Sequence, residues 1–264
     1  MLRRLAPVLI VMLTLLAACQ GAPSLTDPAD IITQGLNATV DLKSFHVSLA
    51  LDGTFTVPES GGSFKLDSTS LEADVDIPAR NVHLTFAVPA LLGLSGDVLV
   101  IDQDVWVKTS MTGTKWTHSS NQVPSLASPG ESFTPQQVID KVKEFLAKDG
   151  VVTTKLEDVD CGDRKCYQVS VSIPPSVLSS AEPKSSGGPM ASFDPTTIFG
   201  DALKVNLLFD REKLWLTEIS TSVDSAKVGK LTATLTFSKF DEALTFSPPP
   251  SPEVTEGEIA IPGM

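Results

Sequence analysis

The chain has 264 residues, 42% of them hydrophobic, which is enough to bury a substantial core without the help of disulfides. Its 20 basic and 32 acidic residues give a formal net charge of −12, which disfavours binding to nucleic-acid phosphates. This composition excludes a disordered chain, a polytopic membrane protein and a DNA-binding protein, and the three histidines leave little material for a catalytic or metal centre.

The N-terminus has the pattern of an export signal. Two arginines precede an almost wholly apolar run from residue 5 to residue 18, and as a helix this run would span about 21 Å, less than the ~30 Å core of a bilayer. The run ends in Leu16-Ala17-Ala18-Cys19, which resembles a bacterial lipobox. The alternative is an ordinary signal peptide with an incidental cysteine. We predict a lipoprotein signal peptide over 1–18, a diacylglycerol anchor on Cys19 and a flexible tether over 19–27.

The other two cysteines fit an exported domain. Cys161 and Cys166 flank Gly162-Asp163, which is typical turn chemistry between two predicted strands. Four residues separate them, whereas a redox CxxC motif has two, and no further Cys or His lies nearby to complete a zinc site. We predict a structural disulfide across a β-hairpin, which contributes about 2 kcal/mol in the chain-entropy model.

The first elements of the mature chain are a helix and a long strand. Asp27-Pro28 begins an apolar pattern at helical spacing, which predicts a helix over 28–40. From Phe45 to Val57 apolar and polar residues alternate, which predicts a strand with one dry face. A second predicted strand over 64–77 changes its dry parity near 68–70, which indicates a β-bulge. Further strands are predicted at 82–88, 97–101, 105–109 and 115–118, in the spacing of an antiparallel meander.

A second helix and a second group of strands follow a Ser- and Pro-rich stretch over 119–134. Thr134-Pro135 predicts the start of a helix that runs to Lys148. Five more strands are predicted at 151–156, 167–173, 203–210, 213–223 and 228–240. We therefore expect a single domain over 28–246, followed by a Pro-rich C-terminal tail over 247–264 that is extended and exposed.

About nine or ten of these predicted strands have one apolar face, which is too many for two helices to cover. A sheet of this width must curl, because strongly twisted open sheets seldom stay flat at that size. Its concave face can pack solid, as in a core or a sandwich, or it can enclose a hole, and the period of the pattern does not distinguish the two. The mostly aliphatic composition of the dry face suits alkyl chains, which need a dry volume and no directional partner.

Several strings of the sequence resemble the LppX–LprA–LprF–LprG group of bacterial lipoproteins. They are Lys43-Ser44-Phe45-His46-Val47-Ser48-Leu49, Ile101-Asp102-Gln103-Asp104-Val105-Trp106-Val107-Lys108 and Gly113-Thr114-Lys115-Trp116-Thr117. The resemblance implies an α+β fold in which helices cover the open side of a curled antiparallel half-barrel around an apolar cavity, an architecture shared with LolA and LolB. It also implies a carrier of acylated lipids or glycolipids. Only Cys19 corresponds position by position, and the cysteine pair is a departure from the mycobacterial members.

Our hypothesis is a carrier anchored on the extracytoplasmic face of a bacterial cell membrane. The expected partners are an acylated lipid or glycolipid and the membrane itself, with a monomeric protein, no nucleic acid and no cofactor. The rival hypothesis is a cell-surface structural or interaction lipoprotein with a solid core that serves a membrane exporter. The candidate cavity-lining residues are the dry positions of three strands and one face of the second helix: Phe45, Val47, Leu49, Leu51, Phe55, Val82, Leu84, Phe86, Val88, Leu231, Ala233, Leu235 and Phe237, with Val138, Val142, Phe145 and Leu146.

No pattern of catalytic chemistry accompanies this hypothesis. His46, His83 and His118 fall on separate predicted strands, and we expect all three at the surface rather than as ligands. Asp102-Gln103-Asp104 lacks the later ligands of a calcium loop, so a β-turn is favoured there. The sequence contains no nucleophile elbow, zincin helix or phosphate-binding loop in the right context. We therefore predict that the protein is not an enzyme and holds no metal.

Overall fold

The computed structural model describes residues 24–56, 62–90, 92–120, 135–180, 202–225 and 228–257. The predicted signal peptide, Cys19 and most of the predicted tether lie outside these residues. The helices are α1 (Pro28–Val40), α2 (Pro135–Leu146) and the short α3 (Pro175–Ser180), with a 3₁₀ turn at Ser251–Glu253. The strands are β1 (Ser44–Thr56), β2 (Ser63–Lys65), β3 (Thr69–Asp76), β4 (Asn81–Val88), β5 (Leu94–Ile101), β6 (Asp104–Thr109), β7 (Trp116–Ser119), β8 (Val152–Lys155), β9 (Val159–Cys161), β10 (Arg164–Ile173), β11 (Leu203–Asp210), β12 (Leu216–Ser225), β13 (Gly229–Ser238) and β14 (Val254–Glu256).

All of these strands belong to one curled sheet. Its order is β14-β7-β6-β5-β4-β3-β1-β13-β12-β11-β10-β8, with β2 beside β1 and β9 beside β10. Every pairing is antiparallel except that of β14 with β7. The outermost strands, β14 and β8, do not pair with each other, so the barrel stays open. The structure is the α+β half-barrel that the sequence predicts.

The sheet has 14 strands rather than nine or ten, partly because the predicted strand over 64–77 is two strands. Both β2 and β3 pair with β1, and a turn at Leu66–Ser68 separates them; Ser68 has a φ of 67°. Opposite this turn, the Gly53 amide donates a hydrogen bond of 3.0 Å to Oδ1 of Asp67, and this bond holds the pKa of Asp67 below its usual value. Thr54 pairs with Lys65 and Leu51 with Thr69 along the same edge of β1, so the β2–β3 side has one residue more than β1, which confirms the predicted bulge. The remaining extra strands, β9 and β14, are short.

The register gives the sheet one apolar and one polar face. Leu49 pairs with Leu71 on one side and Leu235 on the other, while the next position, Ser48, pairs with Glu72 and Thr236. This alternation continues outward in both directions because the neighbouring strands keep the same parity. The apolar face is the concave one, on which the helices lie.

Helix α1 has the predicted bounds and covers one part of the concave face. Asp27 caps it by accepting hydrogen bonds from the amides of Ala29 and Asp30. Ile31 and Ile32 are buried against β10 and β11, and α1 also contacts β8, β12 and α2. Helix α2 ends at Leu146, two residues before the predicted Lys148. Among the described residues, no helix is both long and apolar enough to cross a bilayer.

The predicted disulfide between Cys161 and Cys166 is present in the hairpin of β9 and β10. Gly162 opens the turn with a φ of 73°, a conformation that glycine adopts without strain. Residues 102 and 103 also form the predicted turn, since Ile101 pairs directly with Asp104.

The described part of the predicted tail is bound to the sheet rather than free. Residues 239–257, here called the C-terminal strap, begin where Oδ1 of Asp241 accepts a 2.7 Å hydrogen bond from the amide of Lys43. The strap ends with β14 on the outer edge of β7. There the Glu256 carboxylate lies 2.8 Å from Nδ1 of His118. Most residues of 247–257 are exposed, as expected of the tail, but backbone pairing of β14 with β7 and side-chain contacts attach this part to the sheet.

The close contact of α1 with β11 gives a test of the helix position. A Cβ atom on Gly35 would meet the ring of Phe209, which is buried, so Gly35→Leu should destabilise the fold by about 2 kcal/mol. Asn37→Leu places the same side chain on the exposed side of the helix and should change stability by less than about 0.5 kcal/mol. Chemical denaturation of both variants measures the difference. Equal stabilities would contradict this packing.

Candidate functional site

The concave face divides into a packed half and an open half. In the packed half, Tyr167, Val169, Val171 and Ile173 of β10 are at most 7% exposed. Together with Phe209 they form a core with Ile31 and Ile32 of α1. This half is an ordinary solid core, since its residues reach the burial expected of a protein interior.

The open half is formed by β1, β3, β4, β5, β6 and β13. The structure brings together on its concave face all but one of the predicted lining residues from the strands, and all of them are only half-buried. On this face only Thr69, Ala73 and Val105 of these strands are buried. The half-buried predicted residues are Phe45, Val47, Leu49, Leu51, Val82, Leu84, Phe86, Val88, Leu231, Ala233, Leu235 and Phe237.

The remaining predicted lining residues lie elsewhere. Val142, Phe145 and Leu146 of α2 pack against the core of the packed half. The side chain of Val138 lies outside the described residues. Phe55 pairs with Phe64 in the hairpin of β1 and β2, beyond the end of the β1–β13 pairing. The helix positions therefore serve the solid core as far as the structure describes them.

Several further residues of the concave face were not predicted from the sequence. Leu71 and Val75 of β3 pair with predicted residues of β1, and Val98 and Val100 of β5 pair with predicted residues of β4. Val107 of β6 continues the row. All five are half-buried. The alternation of apolar and polar residues in β3, β5 and β6 could have identified them, because the antiparallel register fixes which positions of these strands face the concave side.

In the strands of the open half, no charged side chain lies on the concave face. In β1, β3–β6, β12 and β13 every Asp, Glu and Lys falls on the opposite parity, as with Glu72 and Asp74 of β3 or Asp97 of β5. On this face the rings of Phe45 and Phe237 contact each other, with their centroids 6.0 Å apart and an angle of 57° between the ring planes. The result is a broad, dry, aliphatic surface that can accept apolar groups but offers no acid, base or nucleophile.

The convex face holds a second, more polar concavity. A pocket of about 430 Å³ lies between the sheet and the strap, lined by Asp74, His83, Leu99 and Trp116 and by residues 243–250. Leu99 is buried beneath the strap although its position belongs to the polar face. This break in the alternation is the one sequence feature that pointed to a covered convex face.

All three histidines lie on this convex face, each beside a carboxylate. His46 is 2.8 Å from Asp74, His83 is 3.7 Å from Asp97, and His118 lies beside Glu256 and stacks on Trp106 with ring centroids 4.8 Å apart. The His46 and His118 side chains are only 17% and 15% exposed, so the expectation that they face solvent is wrong. Among the described residues no group of His, Cys, Asp or Glu has the arrangement of a metal site.

Comparison with known proteins finds similarity in solved structures only. No protein-family model and no curated protein sequence matches the chain. The lipoprotein LppX of Mycobacterium tuberculosis is 17% identical with a TM-score of 0.47, over 82% of this chain and 96% of that one. LprF of Mycobacterium bovis is also 17% identical with a TM-score of 0.47, over 86% of this chain and 99% of that one. Both belong to the group that the sequence resembles.

A more distant similarity is to the MucA/MucB complex of Pseudomonas aeruginosa. Its identity is 13% and its TM-score 0.33, over 86% of this chain and 59% of that one.

A matched pair of substitutions tests the division into halves. Val169 is fully buried in the packed half, and Val47 is half-buried on the same face of the open half. Val169→Ala should lower the free energy of unfolding by about 2 kcal/mol, because it leaves a cavity in a close-packed core. Val47→Ala should lower it by less than about 1 kcal/mol, because its methyl groups are only partly removed from water. Equal losses in urea denaturation would show that the open half is packed as tightly as the core.

Proposed function

We propose that the protein is a membrane-anchored carrier that binds the acyl chains of a lipid or glycolipid on the open half of its concave face. The observation that carries the proposal is the uneven burial of that face. One continuous apolar surface is solidly packed by α1 at one side and only half-buried at the other.

The chemistry of the open half favours acyl chains over other ligands. Its rows of Val, Leu, Ala and Phe offer no charge, and their hydroxyl groups are limited to Thr69 and Thr109, so a polar ligand would lose most of its hydration there without compensation. An alkyl chain needs only contact and exclusion of water. The headgroup would stay at the polar rim.

Exchange with a bilayer is energetically feasible on this surface. Each methylene removed from water contributes about 0.8 kcal/mol, and it gains about the same in a bilayer as in a dry protein groove. Transfer from one to the other is therefore close to neutral and reversible, as a carrier requires. The net charge of −12 discourages nonspecific adhesion to anionic headgroups.

The proposed location follows from the lipobox-like sequence at Cys19. Two acyl chains on this cysteine would hold the protein stably at the extracytoplasmic face of the cell membrane, whereas one chain would bind only marginally. No catalytic role is proposed, since the concave face of the open half offers apolar side chains and two threonines, with no acid or base among its described residues.

Narrowing the open half should block lipid uptake without unfolding the protein. Leu84 and Phe86 lie on the concave face of β4, while Thr85 between them is exposed on the convex face. Leu84→Trp or Phe86→Trp should reduce uptake of a fluorescent long-chain lipid at least fivefold, because the larger ring occupies the groove. Thr85→Trp is the matched control and should leave uptake unchanged. Uptake is measured by the fluorescence of the lipid on protein purified without its anchor.

The same assay separates the proposal from its rival. A structural or interaction module with a solid interior would take up no lipid even before substitution. Equal uptake by all three variants would instead place the lipid elsewhere on the molecule.

A further inference from the structure

The most exposed large hydrophobic side chains of the described residues lie at one end of the half-barrel. Leu92, in the turn between β4 and β5, is fully exposed, and Met111, between β6 and β7, is 77% exposed. Val152 and Phe64, 56% and 42% exposed, lie toward the same end of their strands. Large apolar side chains that are exposed and grouped at one end of a protein are typical of an interaction site.

The two hairpin turns are held together as one unit. The amide of Ser110 donates to the carbonyl of Ser95 at 2.8 Å, and the Ser110 hydroxyl donates to the carbonyl of Gly93 at 3.2 Å. These bonds place Leu92 and Met111 on neighbouring turns of a fixed pair. We call residues 89, 90, 92 and 93, together with 110–115, the apolar tips.

Leu92 has a backbone conformation that is energetically unfavourable for leucine. Its φ is 55°, in the left-handed region where Gly and Asn are favoured and a bulky residue is uncommon. A turn selected for stability alone would place a polar residue or glycine there. A strained and fully exposed leucine is therefore better explained by a contact that the isolated chain does not make.

The charge of the tips fits a lipid surface. Residues 89–93 contain no charged side chain, and residues 110–115 contain only Lys115, in a chain whose net charge is −12. The turns at the opposite end of the strands carry charges of both signs, such as Asp102, Arg211 and Glu212. The tips are less charged than these turns, so fewer hydrated charges would lose water when the tips enter a bilayer.

The N-terminal segment leaves from the opposite end. The amide of Leu25 donates a 3.1 Å hydrogen bond to the hydroxyl of Tyr167, which pairs with Phe209 near the far end of β11. From Leu25 back to Cys19 is six residues, which span at most about 21 Å. The eight residues of β4 alone extend about 26 Å toward the tips. A lipid on Cys19 would therefore hold the end of the barrel that lies away from the tips.

We propose that the apolar tips insert Leu92 and Met111 into a phospholipid bilayer other than the one that anchors the protein. This inference rests on the proposed carrier function, and it assigns the end of the half-barrel at which lipid is exchanged with the second membrane. Insertion of the tips would place the end of the open half against the acyl region, so the lipid need not cross water.

Quenching by brominated lipids tests the insertion. The full chain, as the cell processes it, is reconstituted into plain vesicles of phosphatidylcholine and phosphatidylglycerol, and vesicles with brominated acyl chains are then added. The emission that Leu92→Trp adds to that of the unsubstituted chain should fall at least twofold. Asp163→Trp places the probe on an exposed turn at the opposite end and should show no quenching.

Three other results would contradict the proposal. Quenching of the Asp163 variant but not of the Leu92 variant would reverse the orientation. Quenching of the Leu92 variant only when the brominated lipid is in its own vesicle would place the tips on the anchoring membrane. Absence of quenching in every arrangement would overturn the insertion itself.

A second measurement separates this inference from the carrier proposal. Leu92→Asn with Met111→Ser relieves the strained turn, so the fold should be at least as stable. The variant should take up a monomeric short-chain fluorescent lipid as well as the parent does, but should extract long-chain fluorescent lipid from vesicles at least tenfold more slowly. Unchanged extraction would overturn the role of the tips, whereas loss of uptake by the parent chain would overturn the carrier itself.

Discussion

The pairing of β1 with β13 is the constraint on which the rest of the structure depends. Strands β3 to β7 form one antiparallel meander and β10 to β13 another, and β1 joins them by pairing with β3 on one edge and β13 on the other. Because the register places Leu49 beside both Leu71 and Leu235, the apolar rows of the two meanders become a single concave surface. A slip of one residue would turn every apolar residue of β1 to the polar side.

The two halves of that surface have different tasks. The packed half supplies the core that a domain of this size needs, through α1 and the buried residues of β10 and β11. The open half then does not have to be filled for the fold to persist, so its apolar area is available to a ligand. The strap lies on the convex face, where it covers Leu99 and supplies a partner strand to the edge of β7. In the proposed carrier, stability and lipid binding would thus be carried by different residues of one sheet.

Much of this architecture could be predicted from the sequence, because each of these elements follows from the local spacing of apolar and polar residues. The bounds of α1, the alternation of β1 and β13 and the disulfide hairpin all depend on residues close together in the chain. The bulge at Leu66–Ser68 was predicted from the change of parity, but that change did not show that the bulge divides the strand in two. The path of the strap depends on contacts across about 200 residues, such as that of Asp241 with Lys43. Helix α2, whose described apolar residues pack against the core of the packed half, was assigned to the cavity, because period alone does not tell which part of a concave face a helix covers.

The central claim is that the open half of the concave face holds an acyl chain and not the protein's own side chains. Native mass spectrometry of the protein, purified without its anchor and without detergent, measures this most directly. The account predicts a bound lipid at close to one per chain, released when the protein is unfolded. A chain that carries no lipid, and takes up none when long-chain lipid is supplied, would contradict it.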